Sequence, residues 1–330
     1  MTQREDLYKK LPLRTPLSIH IFPTYKCNFK CSYCIQALSQ EDLINKNFSK
    51  DVMDFEVYKK AIDDILEYEH KLKALIFAGH GEPLMHPRIV DMVKYAKSKN
   101  IANRIEITTN GVLLKKETSD GLIDAGVDRL KISIQGTSSK KYKEIAKFKL
   151  DYDEFLNNLE YFYLNKKNTE VYIKIIDIAL DNNEDKLKFE KMFERIATYV
   201  DIEYAIPFVN EIDHSNIKEN FDKCKQGHCI KSDICSMPFY MQVIDPNGNI
   251  LPCCSTDIPS ILGNVKEMSL KESWKSKKMN MFLQTMLKDK NKNPICSKCS
   301  VPEYGLQNGD YLDAYKNELL DKYNKISEHI

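Results

Sequence analysis

Several features are missing from this 330-residue chain, and each absence removes a class of function. No apolar run comes near the ~20 residues that span a bilayer, and the opening MTQREDLYKK has no apolar signal-peptide core. The chain therefore reads as cytoplasmic, with no membrane partner. Net charge is nearly absent too, since 49 Lys and Arg stand against 48 Asp and Glu, leaving +1. That balance gives no electrostatic case for nucleic acid. No internal repeat or low-complexity tract is visible. The length exceeds that of an ordinary single domain, so one large domain plus a smaller one is expected.

Cysteine, by contrast, is abundant. Ten thiols in a reducing compartment argue for metal ligation rather than disulfides. Cys27, Cys31 and Cys34 fall within KCNFKCSYCIQ in the spacing Cys-x3-Cys-x2-Cys, too tight for all to pair. Iron–sulfur clusters are usually held by four thiolates, and here the fourth is missing. A metal lacking one protein ligand is open to an outside ligand, as a catalytic zinc is and a structural zinc is not. A zinc knuckle or three buried thiols is the alternative.

Residues 17–22 form an apolar strand ended by Pro23-Thr24, and the cysteine loop follows at once. Parallel α/β folds place their chemistry at that end of a strand. Residues 37–53 are a polar covering loop, and 54–72 have helical periodicity. The run 74–78 suits a strand buried on both faces, and it breaks into Gly79-His80-Gly81-Glu82-Pro83. Strands at 105–108, 130–134, 171–179 and 202–206 then alternate with helices at 88–99, 116–125, 151–164 and 185–197. Six β-then-α units of this kind make an α/β fold with a parallel sheet. From 211 the pattern changes: Asp245-Pro246-Asn247-Gly248 marks a hairpin, followed by helices at 270–287 and 311–326. The expected division is 1–210 and 211–330.

With Tyr33 before the third cysteine, the loop resembles the defining motif of the radical S-adenosylmethionine (SAM) superfamily. The resemblance implies a six-unit partial β/α barrel over roughly 15–210. It implies a 4Fe–4S cluster on Cys27, Cys31 and Cys34 whose open iron binds SAM. Reduction, by an external one-electron donor of flavodoxin or ferredoxin type, would cleave SAM to a 5′-deoxyadenosyl radical that takes hydrogen from substrate. Gly79–Pro83 resembles the family's Gly-Gly-Glu-Pro motif, with His80 in a glycine's place. Gly79 and Gly81 would let backbone approach SAM, and Glu82 would accept from its ammonium. Thr109-Asn110-Gly111 resembles the turn that shapes the SAM pocket, although a plain strand-to-helix turn explains it as well. Ser133 and Gln135 alternate with apolar neighbours and should face the barrel interior, where they suit ribose hydroxyls. Lys174 interrupts an apolar strand and needs an anion; the SAM carboxylate is one candidate and Asp177 another. Lys140, Lys141 and Lys143 read as a solvated helix face. His20, His70, His86, His214, His228 and His329 show no ligand spacing and read as core or surface residues.

Cys235, Gly248 and Cys253, then Leu262-Gly263-Asn264, Ser269-Leu270 and Trp274, resemble the start of SPASM/twitch domains, and Cys296-x2-Cys299 closes the set. No cysteine follows Cys299. The resemblance thus implies one auxiliary 4Fe–4S cluster on Cys235, Cys253, Cys296 and Cys299, with a zinc ribbon as the alternative. Cys229 could replace one ligand, and Cys224 is left over. Cys254 is either a bystander or a hydrogen donor to a substrate radical. The expected function is hydrogen abstraction from a small polar substrate, a sugar or aminocyclitol, with oxidation as the outcome. Alternatives are epimerisation, modification of a ribosomal peptide, and a non-enzymatic iron–sulfur or zinc protein. Only 26 residues precede Cys27, which counts against a peptide-binding domain there.

Overall fold

Side-chain alternation along the strands decides the architecture of this chain. The computed structural model describes residues 5–48, 51–215, 217, 231–307 and 309–328. Six strands, β1 (Ser18–Ile21), β2 (Ala74–Phe77), β3 (Ile105–Thr109), β4 (Arg129–Ile134), β5 (Glu170–Ile176) and β6 (Tyr199–Glu203), pair in parallel in chain order. Their outward residues, among them Phe77, Ile107, Ile132 and Ile173, are buried. Each such side chain contributes about 1.5–3 kcal/mol by leaving water. The covering helices include Phe55–Asp64, Ile89–Lys99, Lys116–Ala125 and Tyr152–Asn165.

The inward face is polar. Registers Glu106↔Arg129↔Glu170 and Ser133↔Lys174 put these side chains on one side of the sheet. Glu106 meets Lys131 at 3.1 Å, Arg104 at 3.3 Å and Arg129 at 3.6 Å. Arg129 also meets Glu170, and Lys174 meets Glu203, each at 2.5 Å. Burial of these charges is tolerable because each has an opposite partner.

The hairpin expected in the smaller C-terminal part extends the same sheet. Strand β7 (Met241–Ile244) pairs in parallel with β1, in register Ser18↔Met241, and β8 (Asn249–Leu251) and β9 (Gly263–Asn264) follow antiparallel. Asp245 closes the turn by accepting from the N–H groups of Asn247 and Asn249, both at 2.9 Å. Several helices differ from expectation. Within the expected loop 37–53, Gln40–Asn45 is helical, and the helix expected over 311–326 starts at Lys316. The helix expected over 54–72 ends at Asp64 and gives way to a tighter turn over Ile65–Glu67. The helix expected over 270–287 is two, Leu270–Trp274 and Lys277–Asp289, because the Ser276 side chain caps the second by accepting from the Met279 N–H. Among the described residues no helix is long and apolar enough to cross a membrane.

Candidate active site

The cysteine loop leaves the C-terminal end of β1, where the barrel opens. Burial pushes the Cys27 thiol up to about 12 and raises Cys31 and Cys34 as well, with Cys34 and Cys27 raising Cys31 further. A cysteine ligates iron as its thiolate, so loading the site must release protons. The Phe29 N–H already donates to Cys27 Sγ at 3.4 Å. Beside it, Asn28 Nδ2 is buried without a hydrogen-bond partner, while Asn28 Oδ1 accepts from Asn110 Nδ2 at 2.7 Å. A three-thiol donor set next to an orphaned amide donor fits a cluster completed by an outside ligand. Among the described residues no three His, Cys, Asp or Glu side chains are grouped so as to hold a single metal ion.

The glycine-rich loop is pinned to the cysteine loop. A Cβ on Gly81 would stand 2.3 Å from the Thr24 carbonyl oxygen and 2.6 Å from that of Lys26. Gly79, at φ +122°, leaves its side-chain space to the Phe22 ring, 2.5 Å from where a Cβ would be. These glycines therefore make room for protein, beyond the ligand approach expected of them. The Glu82 N–H donates to the Lys26 carbonyl at 2.8 Å.

The carboxylate of Glu82 is 2% exposed and already engaged. Oε1 accepts from the Leu84 N–H at 2.9 Å and the Thr109 hydroxyl at 2.6 Å, and Oε2 accepts from the Asn110 N–H at 2.7 Å. Burial raises its pKa and the three donors pull it back. The side chain expected to meet the SAM ammonium thus also holds the Thr109-Asn110-Gly111 turn. Asn110 is similarly committed, to Glu82, Asn28 and the Val112 N–H.

Above the sheet lies a cavity of about 440 Å³, and it gathers most of the other expected residues: Tyr33, Gly79, Ser133, Gln135, Lys174 and Cys254. Gly81, Glu82 and Asn110 are not on its wall. The Tyr33 hydroxyl donates to Gln135 Oε1 at 2.6 Å, and Gln135 Nε2 donates to the Ser133 carbonyl at 3.2 Å. The Lys174 ammonium meets Glu203 at 2.5 Å, while Asp177, the other expected partner, accepts from the Ala205 N–H at 2.8 Å. Lys141 corrects an expectation: far from solvated, it is buried against Gly136 and paired with Asp181 at 2.6 Å and Glu144 at 3.0 Å. Sequence reasoning missed His20, Glu203 and Thr256, which also line the cavity. His20 had a signal, since it takes an inward position of an apolar strand. Burial pushes it down to about 4, so it is neutral at ordinary pH.

Burial raises Cys235, Cys253 and Cys299 and pushes Cys296 up to about 12; Cys235 feels Cys299 and Cys296, and Cys253 feels Cys235. Asn293 Oδ1 holds the start of the Cys-x2-Cys turn through the N–H groups of Ile295 and Cys296, at 3.0 and 3.1 Å. Cys254 lies on the cavity wall, and it too adjoins Cys235 and Cys253. Cys224, Cys229, His228 and His329 lie outside the described residues.

The profile of the Radical SAM superfamily matches residues 21–196, and that of an iron–sulfur cluster-binding domain, SPASM, matches 235–300. The tungsten-containing aldehyde ferredoxin oxidoreductase cofactor-modifying protein of Pyrococcus furiosus is 24% identical over 316 residues, spanning 84% of this chain and 85% of that protein. Among solved structures, native anSMEcpe with bound AdoMet superposes with a TM-score of 0.62 at 15% identity, over 96% of this chain and 100% of that one. BtrN in complex with AdoMet and 2-DOIA gives 0.53 at 18% identity, over 86% and 92%. At these identities the structural likeness shows the fold.

Proposed function

Because the chain belongs to the radical SAM superfamily, we propose that it removes a hydrogen atom from a carbon of a small polar substrate in the cavity and oxidises that substrate. Cys27, Cys31 and Cys34 would hold the 4Fe–4S cluster with the open iron. Cys235, Cys253, Cys296 and Cys299 would hold one auxiliary 4Fe–4S cluster. When bound, SAM and the clusters supply a one-electron hydrogen abstraction and an acceptor for the second electron, which together convert a carbinol to a ketone with loss of a proton. A flavodoxin- or ferredoxin-type donor would provide the priming electron.

The observation that carries this reading is the make-up of the cavity wall. It includes Tyr33 and Cys34 from the radical loop together with Cys254, Thr256 and Val301, neighbours of the auxiliary thiols. One space thus borders both proposed electron sites. Its volume lies near the lower end for ligand pockets, so a substrate sharing it with SAM must be small. Ser133 and Gln135 offer polar contacts to SAM, with Gln135 held by the Tyr33 hydroxyl. Lys174 and Glu203 offer a neutral pair, one donor and one acceptor, suited to the hydroxyls and amine of a sugar or aminocyclitol. BtrN, of similar fold and described with AdoMet and 2-DOIA together, is in keeping with a cavity that takes two small molecules.

A second reading is favoured by the position of Cys254 on the cavity wall. Its S–H could return a hydrogen atom to the opposite face of the substrate carbon, with the sulfur radical then taking back one electron and one proton. That outcome is a redox-neutral epimerisation.

Anaerobic reconstitution tests the main reading. About eight irons per chain and SAM-dependent release of 5′-deoxyadenosine are expected, falling to about four irons and no release when Cys27, Cys31 and Cys34 are all replaced by Ala. Release retained by the triple variant would sink the assignment.

A further inference from the structure

Asn28, the residue after Cys27, carries a polar group for which the reading above has no task. Its orientation is fixed by a chain of hydrogen bonds that starts at Glu82. The Asn110 N–H donates to Glu82 Oε2 at 2.7 Å, and the Val112 N–H donates to Asn110 Oδ1 at 3.1 Å. Asn110 therefore turns its Nδ2 to Asn28, donating to Oδ1 at 2.7 Å. An amide nitrogen cannot accept, so the Asn28 amide cannot be flipped end for end. Its own Nδ2 is the end left over, buried and without a hydrogen-bond partner among the described residues.

A buried donor left unpaired is costly. One that is held in place by the other end of its own amide calls for an acceptor that is still to arrive. Two observations indicate which. The loop already turns a donor to sulfur, since the next residue, Phe29, gives its N–H to Cys27 Sγ at 3.4 Å. Asn28 is also not on the cavity wall, so a molecule lying in the cavity is not its partner. What a cluster brings to Cys27 is a set of negatively charged sulfurs, which accept hydrogen bonds.

We propose that Asn28 binds the radical-site cluster from outside its ligand set, its Nδ2 donating to a cluster sulfur beside Cys27. The inference rests on the reading that Cys27, Cys31 and Cys34 hold that cluster. Hydrogen bonds to cluster sulfurs stabilise the more negative, reduced form and raise the potential. Asn28 thus eases the entry of the priming electron. Asn110 and Glu82 keep its amide aimed, as outer partners of a metal site orient the groups that touch it.

The test is an EPR-monitored redox titration of the reconstituted holoenzyme, following the signal that Cys27/Cys31/Cys34→Ala lacks. Asn28→Ala removes the donor without adding charge. Asn28→Asp keeps an oxygen for Asn110 Nδ2 and puts a second oxygen where the donor was. Asn28→Ala should make reduction about ten-fold less favourable, about 59 mV lower for one electron. Asn28→Asp should lie lower still, because it sets a carboxylate against the sulfurs, and it decides the matter if Asn28→Ala fails to hold iron. SAM affinity of the iron-replete variants, read by titration, should stay within about three-fold. A residue that only braced the loop would keep its bond to Asn110 in Asn28→Asp, so an unshifted potential in that variant overturns the proposal. An unshifted potential with SAM affinity weakened about ten-fold or more also overturns it and gives the amide to SAM. Iron counting comes first: no drop in iron from the unsubstituted protein to the Cys27/Cys31/Cys34→Ala variant is the failure of the ligand assignment itself.

Discussion

Replacing Glu82 by Ala separates two possible tasks for that carboxylate. It accepts three hydrogen bonds of 2.6 to 2.9 Å, from the Leu84 N–H, the Thr109 hydroxyl and the Asn110 N–H. A buried donor left without a partner costs about 1–3 kcal/mol. The Thr109 hydroxyl can rotate, and its oxygen still accepts from the Gly111 N–H at 3.0 Å. The two backbone donors cannot turn away. Set against the relief of no longer burying a carboxylate, a net loss of about 3 kcal/mol is expected. In urea that is a midpoint lower by about 1 M. The damage should spread to the cluster loop, because Asn110 holds Asn28 beside Cys27, so iron retained at the radical site should fall. Glu82→Gln can keep the Leu84 and Thr109 bonds but turns an NH₂ toward the Asn110 N–H, and should lose about half as much. SAM affinity of iron-replete protein, read by titration, should stay within about three-fold. An unchanged urea midpoint combined with affinity weakened about ten-fold or more would refute this and return the carboxylate to the ligand.

Three further outcomes are expected. Cys254→Ala should still form 5′-deoxyadenosine and turn over nearly normally, with no solvent deuterium entering the product carbon; a labelled, redox-neutral wild-type product, lost in the variant, would favour epimerisation. Lys174→Met should leave SAM affinity within about three-fold, since the ammonium answers Glu203, and a loss of about ten-fold would restore the SAM carboxylate as its partner. Glu106 gives a pH test: burial pushes its carboxyl up, but Lys131, Arg104 and Arg129 together outweigh that and hold it below 4.5. A lowered folded pKa contributes stability that is complete above the unfolded value and lost as pH falls through the folded one. Glu106→Gln should therefore cost about 3 kcal/mol at pH 7 and progressively less as pH falls below 4.5; a cost independent of pH, measured by urea unfolding, would contradict the network.

Local chemistry and periodicity by themselves determined a good part of this protein. Cysteine spacing needs no tertiary knowledge, because ligands a few residues apart are brought together by one loop, and Cys27, Cys31 and Cys34 are such a set. The continuous run Ala74–Ala78 and the alternation around Ser133 and Gln135 likewise declared buried strands and an inward polar face, because strand periodicity is a local property. Only the tertiary structure decided which partner each polar side chain takes. Lys174 required an anion on energetic grounds, but Glu203 lies 29 residues on and becomes its neighbour only through pairing of β5 with β6. That Glu82 also holds Thr109 and Asn110 follows only from the place of β3 in the sheet. Lys141 looked solvated until the chain folded Asp181 onto it. The hairpin was legible from its Asn-Gly turn, but its parallel attachment to β1, 223 residues from Ser18 to Met241, was not. The energies of such pairings depend on which strands meet, and that is set by the whole sheet rather than by any one segment.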